Sequence, residues 1–347
     1  MSLDRRTFLE GAAAVATTAV LAKDAAAKEA APIVSLAAVP PAGFTPFSAP
    51  GKIVKVSKPG SLMPNQLYPK ADDAKAMLEK VMTELTGKST LVDAVKLFVH
   101  PSDKVVVKGN GIAHQTMSTN KELILPFIDA MIASGVPAGN IVVLEQYYDR
   151  HVGCRISQQN LPAGVKLECH NNSDATMDFR MIPGTGVQTK FARSLTESTA
   201  LINFSLIKDH SICGYTGILK NMTHGCTLNP HDFHLHHAAP QIAMLAAQDV
   251  LKSRLRLCIT DAFKVIAHGG PFDKFPQYRF PYEAVLASTD AVAMDTIGWE
   301  ICEQFRVKAR LRTLTEEGRP PAYIKAAADL GLGIFERSQI QLKEITV

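Results

Sequence analysis

The chain of 347 residues carries 37 Lys+Arg against 33 Asp+Glu, and is 46% apolar and 20% charged. These proportions exclude wholesale disorder, a collagen and a coiled coil, and leave enough chain for a sizeable core without disulfides. The formal charge is only +4 and no block of five basic residues occurs, which argues against nucleic acid as a partner.

Residues 1–27 read as an address. Asp4-Arg5-Arg6-Thr7-Phe8-Leu9-Glu10 precedes a short, mildly apolar run from Gly11 to Ala22, and Ala25-Ala26-Ala27 offers small residues for cleavage. The run is too short for a stable membrane anchor, which needs ~20 apolar residues. The segment resembles a twin-arginine export signal, Ser/Thr-Arg-Arg-x-Phe-Leu-Lys. Arg5, Arg6, Phe8 and Leu9 match it, while Asp4 and Glu10 depart from it. The expectation is a twin-arginine translocase partner and a periplasmic location. Residues 28–50, rich in Ala and Pro, read as a linker or a surface-hugging arm. The fold is expected over residues 51–347.

A first strand is expected at Gly51–Val56, and a helix at Ala71–Thr86 on the spacing of Ala74, Met77, Leu78, Val81 and Leu85, stopped by Gly87. Lys104–Lys108 reads as a strand. Asn120–Ser134 reads as a helix with Asn120 as N-cap and Pro126 imposing a kink or a late start. Further strands are expected at Ile141–Glu145, Thr199–Ser205, Leu255–Thr260 and Glu283–Ala287. Helices are expected at Pro240–Leu251 and at Ala291–Phe305, the latter capped by Asp290. Short apolar runs alternating with helices predict an α/β protein with a largely parallel or mixed sheet. No Cys-x-x-Cys occurs, so no iron–sulfur cluster motif is present, and most of the six cysteines are expected as small buried hydrophobes.

In open α/β sheets ligands bind beyond the carboxyl ends of the strands. There the sequence places Lys108 and Asn110; Glu145 and Asp149; Lys208, Asp209 and His210; Asp261; and Thr289 and Asp290. Each taken singly is an ordinary polar loop residue or, for Asp290, a helix cap. Lysines set directly against apolar strand ends, however, need a carboxylate partner or an anion. Asp261 or Glu145 suits one of them, and a substrate carboxylate or phosphate the other. Asp290 and Asp295 stand about 140° apart around a helix and cannot share a face. The run from Gly214 to Asn221 adds Lys220 and close-approach glycines without a Walker pattern. Five histidines, His224, His231, His234, His236 and His237, fall within fourteen residues. They read either as a polar loop or as ligands for a transition metal such as Fe or Zn, of which two or three converge.

Three blocks of residues resemble the domain-of-unknown-function family 362: Val107-Lys108-Gly109-Asn110; Leu201-Ile202-Asn203 with Lys208-Asp209-His210 and Thr216–Asn221; and Asp261, Gly269-Gly270-Pro271 and Asp290–Asp295. The resemblance runs from about Lys52 to Leu342. It implies that Lys108, Asn110, Lys208, His210, Lys220 and Asn221 belong to a site. Ferredoxin-like motifs attached to some relatives imply a redox setting, but this chain lacks them. The resulting expectation is an exported metal- or cofactor-dependent enzyme of redox type, an oxidoreductase, acting on a small anionic substrate. His210, Lys208 and Asp261 are its catalytic set, Lys108, Asn110, Lys220 and Asn221 its anion holders, and His224, His231, His234 and His236 its metal ligands. A non-catalytic metal- or anion-binding protein is the alternative.

Overall fold

The structure, a computed structural model, describes residues 34–171 and 179–347. The expected signal peptide lies outside the described residues. Among these residues nine strands form one mixed sheet in the order β11-β1-β10-β9-β7-β2-β3-β4, with β8 added to β7. They are β1 (Lys52–Ser57), β2 (Val105–Lys108), β3 (Ile141–Glu145), β4 (Lys166–Cys169), β7 (Ala200–His210), β8 (Gly214–Thr216), β9 (Leu255–Ile266), β10 (Arg279–Ser288) and β11 (Gln341–Thr346). A separate hairpin joins β5 (Arg180–Ile182) to β6 (Val187–Thr189). The centre, β9-β7-β2-β3-β4, is parallel, whereas β10 runs antiparallel to both β9 and β1.

The helices are α1 (Ala71–Thr86), α2 (Leu91–Val95), α3 (Lys121–Ala133), α4 (Tyr148–Gly153), α5 (Arg193–Thr196), α6 (Ile218–His224), α7 (Ala239–Ala246), α8 (Asp249–Lys252), α9 (Ala291–Lys308) and α10 (Tyr323–Asp329). Val105 and Val107 join the core beneath α1, α2 and α3, while Val106 joins the core shared by α6, α7, α9 and α10. That alternation is the two-residue period of a strand buried on both faces, and it makes a three-layer α/β sandwich.

Several elements depart from expectation. β7 extends to His210 and β9 to Ile266, so Lys208, Asp209, His210 and Asp261 lie within strands and not beyond them. Within the strands Lys208 meets Asn110, Asp209 meets Arg319 and Asp261 meets Asn120. The expected helix Pro240–Leu251 breaks at Gln248, whose ψ of 140° is extended, giving α7 and α8. α3 starts at Lys121 and runs through Pro126 without a late start. Residues 36–50 hug the domain: the Leu36 amide donates to Asp249, Ala38 to Ser253 and Phe47 to the Leu97 carbonyl. Five of the six cysteines are buried, and none is in a disulfide. No helix among the described residues is long and apolar enough to cross a membrane.

Candidate functional site

β2 ends at Lys108, opposite Asn203 of β7, and β7 runs on past it to His210, paired there with β9 and β8. Beyond the ends of β2 and β3 this leaves a cleft of about 470 Å³, lined among others by Lys108, Asn110, Glu145, His210, Lys220 and Asn221.

The cleft floor is built from paired groups. Lys108 follows Val106 onto the α6 side, where its ammonium donates to Glu145 Oε2 at 2.7 Å and to the Gly109 carbonyl at 2.8 Å. The other Glu145 oxygen accepts from the Gly111 amide at 2.9 Å. Burial pushes the Glu145 carboxyl up, but the Lys108 ammonium more than offsets this and holds it below the ordinary range. Gly225 allows the lysine stem to pass: a Cβ there would stand 2.6 Å from Lys108 Cε.

A chain of amides crosses the floor. Lys208 Nζ donates to Asn110 Oδ1 at 2.7 Å, Asn110 Nδ2 to Asn221 Oδ1 at 3.0 Å, and Asn221 Nδ2 to Asn203 Oδ1 at 2.7 Å. Asn203 in turn donates to the Ile218 carbonyl at 2.9 Å. Every amide orientation in the relay is thereby fixed. Lys208 is fully buried and does not line the cleft, so it positions Asn110 from below. Burial, with the Lys220 charge adding to it, pushes the Lys208 amine down to about 7.

On β7 successive residues face opposite ways. His210 faces the cleft, while Asp209 turns back to Arg319 at 2.5 Å and Arg306 at 3.5 Å, and accepts from the Gly269 and Gly270 amides. Arg319 also donates to the His210 carbonyl at 2.7 Å. His210 Nδ1 accepts from the amides of Ile212 at 3.1 Å and Cys213 at 3.4 Å. The neutral ring therefore carries its proton on Nε2, and that nitrogen has no partner among the described residues. Burial, then the charge of Lys220, pushes the ring well below its ordinary pKa. His210, expected in the catalytic set, thus presents a neutral Nε2–H to the cleft.

His224, His231 and His234 also line the cleft; His236 and Asp261 do not. His234 Nδ1 faces the His231 carbonyl at 3.1 Å, leaving Nε2 as the acceptor 3.3 Å from Lys220 Nζ. His236 is exposed and sits in a run of left-handed backbone with His237 and Ala238. That turn carries it away from its neighbours. Asp261 accepts from the Asn120 amide and side chain at 2.7 and 2.9 Å. It thus anchors the start of α3, and Asn120 makes no side-chain cap of its own. Asp290 caps α9 through the Ala293 amide, and Asp295 turns instead to the Ile218 and Leu219 amides.

Sequence reasoning passed over Arg150, Gln146, Tyr147 and Phe272, which line the cleft. A cation one helical turn beyond the β3 strand end was the available signal for Arg150. Gln146 Oε1 and Thr216 Oγ1 are buried with no partner among the described residues.

The imidazoles as arranged do not fit a transition metal. Among the described residues no group of three or more His, Cys, Asp or Glu is placed to hold one. His234 Nε2 faces an amine, and both His224 nitrogens are engaged, with Thr223 Oγ1 and the Phe233 carbonyl.

Fold and site together define an α/β protein with a cation-lined cleft at the carboxyl ends of its parallel strands. The chain belongs to the family described as "Domain of unknown function (DUF362)", whose model matches residues 105–300 and takes in every cleft residue named above. No curated protein matches the chain. Among solved structures it is similar to the lactate racemase apoprotein from Thermoanaerobacterium thermosaccharolyticum, at 12% identity and a TM-score of 0.38, over 73% of this chain and 57% of that one. This chain thus spans little more than half the length of that protein, and a likeness so distant says nothing of chemistry.

Proposed function

We propose that the cleft binds a small organic anion and acts on it by proton transfer. One observation carries this reading. Lys220 and Arg150 line the cleft, while the lining carboxylate, Glu145, is committed to Lys108. An unbalanced positive charge in a half-enclosed site recruits an anion. Arg150 is permanently charged and suits binding. Burial lowers the pKa of the Lys220 amine, which suits it to giving and taking a proton beside the His234 Nε2 acceptor. The His210 Nε2–H would steady the charge that develops on the ligand without itself changing charge.

The test is solvent deuterium exchange into a panel of carboxylates, followed by NMR, alongside calorimetric binding. Arg150→Ala is expected to weaken binding by about tenfold or more, the scale of one charge-assisted hydrogen bond. Lys220→Met is expected to abolish exchange. Anions that bind tightly and never exchange would instead make this a non-catalytic capture protein.

Export to the periplasm through the twin-arginine translocase belongs to the same proposal and is supported by Arg5, Arg6, Phe8 and Leu9 ahead of the Gly11–Ala22 run. A reporter fused behind residues 1–50 should be exported, and the paired change of Arg5 and Arg6 to Lys should retain it in the cytoplasm.

A further inference from the structure

We infer that the anion taken by this cleft carries an apolar body of several carbons, so that its ligand is an amphiphilic carboxylate and neither an inorganic anion nor a two-carbon acid. The inference rests on the anion reading above and adds the substrate class. Tyr147, Ile212 and Phe272 are 41%, 38% and 49% exposed, which is unusual for large apolar side chains, and all three line the cleft. They come from three separate stretches of chain: the turn after β3, the turn after β7 and the loop after Gly270-Pro271.

None of the three is held there by chance of packing. Ile212 gives its amide to His210 and its carbonyl to His237. The loop bearing Phe272 is tied by the Gly269 and Gly270 amides to Asp209. The Arg150 guanidinium lies 4.8 Å over the Tyr147 ring, placing a cation against an apolar shelf. The buried Lys220, Asn110 and Asn221 thus share the cleft with three exposed apolar side chains, which complements a ligand with a charged head and a greasy body. About 470 Å³ falls in the range of sites for mid-sized organic ligands and far exceeds the ~30 Å³ of a water-sized ion.

The test is calorimetry on the full chain with acetate, butanoate, hexanoate and octanoate, inorganic phosphate, and octylammonium as the charge-reversed control. Affinity is expected to rise about fourfold per methylene, the yield of burying one CH₂, with octylammonium not binding. In the double variant Ile212→Ser, Phe272→Ser the gradient is expected to fall below about twofold per methylene, the residue of a half-lost apolar wall. Equal affinities for acetate and octanoate, or tighter binding of phosphate, would overturn this inference and leave the anion reading standing. Octylammonium binding as well as octanoate, or no anion binding at all, would overturn both.

Discussion

Lys108, Asn110, Asn203 and Asn221 on the cleft floor are buried and bonded to one another or to named carbonyls. Residues 230–238, which supply His231 and His234, are largely exposed. Their backbone enters the left-handed region at His236, His237 and Ala238, with φ of 51°, 57° and 57°. Side chains other than Gly rarely adopt that conformation without support from their surroundings. The floor is therefore preorganised by a closed network, whereas the histidine segment is held at a few points, chiefly buried Phe233 and the His237–Ile212 bond. Buried bonds thus concentrate where the sheet ends, and are fewer in the segment that meets solvent.

The sharpest way to break this contrast is to remove one floor charge. Glu145→Ala strands Lys108 in a dry site and is expected to cost about 3–5 kcal/mol of stability, read by urea unfolding. A loss under 1 kcal/mol would mean that the floor is open to water. Proton linkage should separate the two regions next. Lys208 titrates near 7 when folded against 10.5 as an ordinary lysine. The unfolded chain therefore holds the extra proton between pH 7 and 10.5, and this group adds stability as pH rises through that window. His234, pushed by burial to about 4 from 6.5, has its window between pH 4 and 6.5, where its contribution is lost as pH falls. Lys208→Met should flatten the upper window in part, because Lys264, near 8, shares it. His234→Gln should flatten the lower one. Midpoint denaturant concentration against pH measures both. The smallest expected effect belongs to His231→Ala, within about 0.5 kcal/mol by the same unfolding assay, as for an exposed side chain whose ring only touches that of His234.

Much of this was legible in the chain itself where local chemistry is decisive. The period of Ala74 to Leu85, the stop at Gly87 and the cap at Asp290 each depend on neighbours a few residues away, and the elements lie where those signals put them. Lys108 and Asn110 stood out because a charge abutting three valines demands a partner. What the chain concealed depends on distant partners. Asp209 reads as lying beyond a strand end until Arg306 and Arg319 face it, and so does Asp261 until the Asn120 amide and side chain meet its Oδ2. Tyr147 and Phe272 carry no local mark of exposure, since only tertiary placement leaves them uncovered. The histidines drew attention by density, yet density in sequence does not fix where ring nitrogens point.

The guanidinium that grips both the Asp209 carboxylate and the His210 carbonyl belongs to a residue 110 positions further along. During synthesis β2, β3 and β7 therefore leave the ribosome long before the clamp on their functional edge exists. A product truncated ahead of Arg319 would carry the parallel strands while His210 and the Gly269–Gly270 loop lacked their shared anchor. The completed cleft thereby depends on a residue translated after every strand that lines it.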